Sequence, residues 1–421
     1  MESFARKTLL KSLAGLRQGH LELVIGTETH AFGDPTSDVK ACIAVHNERF
    51  FGRVLFGGED GAGDAYVDGD WSSPDLVAVI RLAVRNLQTL QSGNAVTSWL
   101  SRMLNRLRHL KRDNTIEGSR RNIHEHYDLS NEFFALFLDE KRVYSSAIFA
   151  STDTSLEDAQ VEKIDRLCRK LRLQPGESVL EIGTGWGALA MHAAEHYGVH
   201  VTTTTISQQQ HAYVEQLLKD TPPKRGSIKL LFEDYRKLQG QFEKIASIEM
   251  FEAVGLDHYD EFFGACDRLL AAQGVMAMQA ITFNERGFDH YRKSADWIQR
   301  RIFPGSELAS IKEIIVSLGR ATKMNLYEME DIGLHYAFTL AEWRRRFHER
   351  INEVRALGFD EPFLRSWDYY LAYCEGGFRE RYISDVQVVL SKDGNGAAIH
   401  TEPWQSTGDP ARAAVRSLQE R

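Results

Sequence analysis

Two glutamates, Glu249 and Glu252, stand three residues apart in "SIEMFEAVG", where an apolar run ends and a strand gives way to a loop. A carboxylate in so apolar a stretch costs free energy unless it is paired or used in chemistry. Two carboxylates close together raise the pKa of one of them, which makes a proton acceptor better matched to neutral pH. The competing reading is that Glu249 pairs with an arginine or caps a backbone group.

A second stretch carries binding chemistry. Residues 178–207, "SVLEIGTGWGALAMHAAEHYGVHVTTTTIS", read as a strand, a glycine turn at Gly183, Gly185 and Gly187, a helix and a second strand. Glycines let the backbone approach a ligand closely at the carboxyl end of the first strand, where open α/β sheets bind cofactors. A dinucleotide site would show G-x-G-x-x-G and an acid ending the second strand. Here the spacing is G-T-G-W-G, and the second strand ends in Thr205, Ile206 and Ser207. Glu181 ahead of a tight turn suits a cofactor with an amino-acid tail and no phosphate, which points to S-adenosylmethionine.

These residues have to be positioned by larger elements. From about His124 onward strands and helices alternate at βαβ spacing, which predicts a parallel sheet with helices on both faces. Before it, "HLELVIGTETHAFGD", "KACIAVHNERFFGRVLFGG" and "DAYVDGDW" give short strand-like stretches, followed by a helix in "SPDLVAVIRLAVRNL". The expected organisation is an α/β core with a small N-terminal α+β domain. Its parts are an accessory domain over 1–95, a basic amphipathic linker helix over 96–122, a catalytic domain over 123–395 with helical insertions, and a tail over 396–421.

Composition sets the outer limits. At 421 residues the chain exceeds one ordinary domain, and 43% hydrophobic with 26% charged residues fits a soluble globular protein. Charge interrupts every apolar run before the roughly 18 residues a spanning helix needs. The N-terminus lacks the apolar core of a signal peptide and reads as a helix with Phe4, Leu9, Leu13 and Leu16 near one face. Cys42, Cys168, Cys266 and Cys374 are scattered without C-x-x-C pairing, which predicts reduced thiols in the cytoplasm and no structural metal. The net charge is −8, yet "SWLSRMLNRLRHLKRDNTIEGSRRN" holds seven Lys or Arg against two acids. With Trp99, Met103, Leu107 and Leu110 on one face, that stretch predicts either a solvated interdomain helix or attachment to anionic lipid headgroups. A nucleic-acid partner is not expected from an acidic chain without a binding motif.

Several stretches together, "HYDLSNEFFALFLDEKRVYSSAIF", "VLEIGTGWG", "VTTTTISQQQ", "SIEMFEAVG", "DWIQRRIFPGSELAS" and "YYLAYCEGGFRERYISDVQVVL", resemble the cyclopropane-fatty-acyl-phospholipid synthase family over about three hundred residues. The N-terminal "FFGRVLFGGEDGAGDAYVDGDW" resembles the accessory domain of its longer bacterial members. The resemblance implies a Rossmann-like class I methyltransferase core with an acyl-chain tunnel. It also implies transfer of the S-adenosylmethionine methyl to the cis double bond of an unsaturated acyl chain on a membrane phospholipid. The expected location is cytoplasmic and peripheral, on the inner face of an anionic bilayer, with a homodimer organised by the N-terminal domain. By position, the cofactor would be held by Tyr144, Ser145, Gly183, Gly185, Gly187, Thr205, Ser207, Gln210, Asp234 and Tyr235.

The alkene is a poor nucleophile, so methyl transfer generates a carbocation, which needs a dry site and a base to remove a proton. Members of the family hold a bicarbonate ion as that base. The resemblance assigns the residues around it to Glu252 and Tyr336, with Ser146 where the family has Cys, Gln279 where it has His, and His126 in "HEHYDLSN" nearby. Glu249 stands where the family commonly has Gly, so it is expected to supply or orient the base. Three products are open: a cyclopropane, a methylene branch and a methylated alkene, including furan precursors. The cyclopropane is the first expectation.

Overall fold

Strand β5 (Ser178–Ile182), "SVLEI", is buried along nearly its whole length, as a central parallel strand covered on both faces should be. It pairs in parallel with β6 (His200–Thr205) on one side and β8 (Phe242–Ile248) on the other. β6 then pairs with β7 (Ser227–Phe232), and β8 with the long β9 (Leu270–Phe283). The far edge is antiparallel, β10 (Met324–Asp331) against β11 (Ile383–Lys392). The full order is β10-β11-β9-β8-β5-β6-β7. The order reverses at β5, so the ends of β5 and β8 open a crevice there, the usual ligand site of such sheets.

These are features of a computed structural model that describes residues 2–87, 130–293, 295–393 and 395. Its described residues fall into two compact units. One joins 2–87 with 287–293, 295–304 and 340–383, and the other holds 130–286, 305–339, 384–393 and 395. The first unit therefore draws on later stretches of the chain that sequence reading had assigned to the catalytic domain. The expected linker helix over 96–122, apart from its sequence, and the tail over 396–421 lie outside the described residues.

In the first unit, strands β1 (His20–Ile25), β2 (Glu28–Gly33), β3 (Lys40–Val45) and β4 (Trp71–Ser72) form one sheet in the order β2-β1-β3-β4. Helix α1 (Glu2–Leu13) buries Ala5 and Leu9, whereas Phe4 is 66% exposed, so the buried stripe runs through Ala5 in its place. The strand-like readings of "RFFGRVLFGG" and "DAYV" are corrected: both belong to one helix, α2 (Arg49–Val67), kinked at Gly58. Each glycine in a helix costs about 1 kcal/mol relative to alanine. Burial of Phe50, Phe51, Leu55 and Tyr66 outweighs that cost. The glycines also leave room: a Cβ on Gly63 would come within 2.6 Å of the Trp297 indole and 2.9 Å of the Tyr369 ring. Helix α3 (Leu76–Arg85) follows, capped by Asp75 on the Ala78 amide.

In the second unit the sheet is covered by α4 (Leu156–Leu171), α5 (Ala188–His192), α6 (Gln208–Asp220), α7 (Tyr259–Leu269) and α8 (Ile311–Ala321), with α9 (Gly333–Glu349) beginning after β10. One core lies under α7 and α8, built from Phe251, Phe262, Phe263, Ile314 and Leu318 against Val386, Val388 and Leu390 of β11. The other joins Ile164, Leu167 and Leu171 of α4 to Val179 and Val201. Helix α10 (Glu361–Arg379) belongs to the first unit, where Asp368 accepts from Tyr66 Oη at 2.6 Å and from Arg344 Nε at 2.7 Å.

Gly63→Ala tests the close packing in the first unit. Alanine is the better helix former by about 1 kcal/mol, yet overpacking against Trp297 and Tyr369 costs about 1–3 kcal/mol. A net loss of stability is expected in chemical denaturation.

Candidate active site

The turn that follows β5 sets each of its three glycines at positive φ, 97° at Gly183, 52° at Gly185 and 87° at Gly187. Glycine alone adopts such angles at no steric cost. A cavity opens above the turn, lined by Tyr144, Ser145, Glu181, Gly183, Gly185, Thr205, Gln210, Asp234, Tyr235 and Glu249, among others. Of the ten positions expected to hold the cofactor, eight lie in this lining. The other two, Gly187 and Ser207, stand at helix N-termini: Gly187 precedes α5, and the Ser207 hydroxyl caps α6 by accepting from the Gln210 amide.

Polar groups at the rim of the turn are interlocked. Thr203 Oγ1 donates to Glu181 Oε2 at 2.5 Å and lies 2.7 Å from Thr184 Oγ1. Burial pushes the Glu181 carboxyl up to about 8, opposed by the Thr203 hydroxyl and the Lys163 charge. Thr205 Oγ1 donates to Gln210 Oε1 at 2.9 Å, which leaves the Gln210 amide nitrogen to donate elsewhere, as a ribose hydroxyl requires. Asp234 is held by Arg236 and by the Arg236 amide. Trp186, Leu189, Ile248 and Met250 give the same cavity apolar walls. Glycines at closest approach, a free amide and apolar walls fit the nucleoside and amino-acid tail of S-adenosylmethionine.

Strand β8 ends in the same cavity. Ile248 is paired with Gln279 of β9, and the Glu249 amide donates to the Gln279 carbonyl at 2.8 Å. Glu249 then turns into the left-handed region, with φ of 46°. For a residue with a Cβ that conformation costs about 1–2 kcal/mol, and strain of this kind concentrates at functional sites. Three donors meet the Glu249 carboxylate. Oε1 accepts from the Ser146 amide and from Gln279 Nε2, both at 2.8 Å, and Oε2 accepts from Tyr336 Oη at 2.7 Å.

The structure thus brings Glu249, Ser146, Gln279 and Tyr336 together. It is the Ser146 backbone that touches Glu249; its hydroxyl donates to the Ala147 carbonyl. Glu252 sits in the short turn after Glu249 and lies outside the cavity lining. Its Oε1 accepts from the Ile281 amide at 2.5 Å, and its Oε2 has no hydrogen-bond partner among the described residues. Burial first, and then the Glu249 charge, push Glu252 up to about 8, so it carries a proton at neutral pH. His126 lies outside the described residues.

Three participants were missed in the sequence. Asp385 of β11 is fully buried and accepts from Gln279 Nε2 at 2.8 Å. Burial and then the Glu249 and Glu252 charges hold it far above the usual carboxylate range, so Asp385 is the member of the pair that keeps its proton. Burial raises Glu249 as well, against the pull of its three donors and of the Lys163 charge. Gln387 Nε2 donates to Gln279 Oε1 at 3.1 Å and fixes the orientation of that side chain. Lys163 of α4, with no exposed surface, donates to Ser145 Oγ at 2.6 Å. A signal for Lys163 existed: it shares the α4 stripe of Leu156, Ala159, Gln160, Ile164 and Leu167, where a lysine is out of place. Among the described residues no cluster of His, Cys, Asp and Glu is placed to hold a metal ion.

Residues 115–388 match the model of the family described as mycolic acid cyclopropane synthetase. The "Tuberculostearic acid methyltransferase UfaA1" of Mycobacterium tuberculosis is 39% identical over 344 residues, 79% of this chain and 79% of that protein. The "Cyclopropane-fatty-acyl-phospholipid synthase" of Escherichia coli K12 is 35% identical over 356 residues, 84% of this chain and 88% of that protein. Among solved structures, the mycolic acid cyclopropane synthase CmaA1 complexed with SAH and CTAB superposes with a TM-score of 0.60 at 35% identity, covering 65% of this chain and 98% of that one.

Gly183→Ala would force a Cβ to 3.2 Å from Met250 at a left-handed φ. Titration calorimetry with S-adenosylhomocysteine should show affinity reduced by about tenfold or more, since a shift of about 1.4 kcal/mol in this turn suffices.

Proposed function

The chain belongs to the mycolic acid cyclopropane synthetase family and is an S-adenosylmethionine-dependent methyltransferase built on the class I fold, and on that premise we propose its substrate and its base. The substrate is an unsaturated acyl chain on a membrane phospholipid, methylated at its cis double bond through a carbocation to give a cyclopropane. The observation that carries the reading is the three-donor hold on Glu249 at the wall of the cofactor cavity.

S-adenosylmethionine supplies an electrophilic methyl on a sulfonium. The chain's own residues do the rest. Ile248, Met250, Trp186 and Val254 keep the cavity apolar, so a cation formed on the acyl chain is not trapped by water. The Glu249 carboxylate stabilises that cation by its charge and takes the proton lost on ring closure at one of its oxygens. The Ser146 amide, Gln279 amide and Tyr336 hydroxyl fix those oxygens in place. A bicarbonate ion would need these same donors, and Glu249 already takes them, so the base in this reading is part of the chain.

A second reading, with a methyl- or methylene-branched product, has its own support. The relative at 39% identity is named a methyltransferase and not a cyclopropane synthase, and a tethered carboxylate approaches the cation from a fixed direction. Membrane contact through the basic 96–122 stretch and a homodimer belong to the same proposal. Among the described residues no helix is long and apolar enough to cross a membrane.

Glu249→Gln should bind S-adenosylhomocysteine as the parent does and lose about 10²-fold or more in turnover on oleoyl phospholipid vesicles; parental turnover would remove Glu249 from catalysis. Glu249→Gly frees all three donors, and added bicarbonate should restore part of the rate in that variant alone. Proton NMR of the product distinguishes the two readings, high-field cyclopropyl protons against olefinic or methyl-branch signals. Because burial raises the Glu249 pKa and the carboxylate is the active form, turnover should climb with pH through that raised value.

A further inference from the structure

Lys163 is a buried lysine at the wall of the cofactor cavity; burial pulls its ammonium down to about 8, which leaves it charged at neutral pH. It has no solvent-exposed surface, lies on α4 in the lining of the cofactor cavity, and its one hydrogen bond among the described residues is to Ser145 Oγ at 2.6 Å. One turn earlier, Gln160 Nε2 donates to the Ser145 carbonyl at 2.8 Å. Helix α4 therefore grips residue 145 by both its hydroxyl and its carbonyl. The next amide along the chain, that of Ser146, is the one given to Glu249 Oε1.

The charges around this corner are unequal. Lys163 sits in the field of Glu249, Asp139, Asp385 and Glu181, with Glu249 first among them. Glu249 is faced by Lys163 from α4, Tyr336 from α9, Gln279 from β9, Asp385 from β11 and Glu252 from its own turn. Of these groups only Lys163 carries positive charge. Asp385 and Glu252 hold their protons at neutral pH and supply no counter-charge, and a buried anion without a counter-charge takes up a proton.

We propose that Lys163 is a positioning residue for proton abstraction, which keeps Glu249 ionised by its charge and keeps the Ser146 amide aimed at Glu249 through Ser145. The proposal rests on Glu249 being the proton acceptor. Each turnover then moves one proton from the acyl cation to Glu249 and afterwards to solvent, and Lys163 itself gives up none.

The experiment compares pH profiles of turnover for the parent, Lys163→Gln, Lys163→Arg and Glu249→Gln, each saturated with S-adenosylmethionine. Lys163→Gln keeps a donor for Ser145 without the charge; its rising limb should move up by about one pH unit, and Lys163→Arg should restore it. Infrared titration of the ligand-free protein, with Glu249→Gln as the difference reference, reads the Glu249 carboxylate directly and should show the same displacement. A limb and an infrared midpoint that stay put in Lys163→Gln overturn the proposal. Should Lys163→Gln fail to fold, Lys163→Arg carries the test: the proposal requires the parental limb, and an upward shift overturns it. Parental turnover in Glu249→Gln would instead overturn the reading of Glu249 as base, a separate outcome.

Discussion

Keeping a carboxylate ionised in an apolar cavity is the constraint on which the rest of this site depends. Moving such a group out of water without partners costs several kcal/mol, and the ordinary outcome is that it binds a proton. Here Glu249 receives an amide from the segment before α4, an amide side chain from β9 and a hydroxyl from α9, with a buried ammonium behind them. These partners are spread along the chain from Ser146 to Tyr336. Only the assembled sheet brings them to one point, so the surroundings of Glu249 are a property of the fold.

The sheet does this through register. Ile248 pairs with Gln279, which puts the Gln279 carbonyl on the Glu249 amide and the Gln279 side chain on the Glu249 carboxylate. A slip of one residue would turn Gln279 to the opposite face of β9. On that opposite face lie apolar side chains such as Met278 and Ala280, packed into the core under α7. The same core that stabilises the domain thereby fixes the geometry around Glu249. Gln387 and Asp385 on β11 complete the arrangement, each bonded to the Gln279 side chain.

Much of this was legible in the sequence, and the reasons for the exceptions are physical. The glycine turn announces itself because left-handed backbone restricts residue choice, and Glu249 stands out because a charge in an apolar run has few bland explanations. Glu252, three residues on, looked like its equal; the chain's turn after Glu249 sends it instead to the Ile281 amide. Ser207 matched a cofactor position, yet a serine before a helix is as readily a cap, and it caps α6. Asp385 sits among Val386, Val388 and Val389 in a strand whose partners only the topology reveals. Helix α2 was hidden by its glycines, because local propensity misleads where burial decides.

Glu249 adopts a backbone angle that glycine would adopt freely. In the genetic code the two glycine codons ending in a purine become glutamate codons by one change at the second base. If Glu249 is the base proposed above, a protein of this fold can exchange a diffusible anion for a tethered one in a single mutational step, with the turn kept and only the strain of a left-handed glutamate added. On that reading two ways of supplying a base lie next to each other in sequence space, and a lineage can cross between them while the fold around the site stays intact.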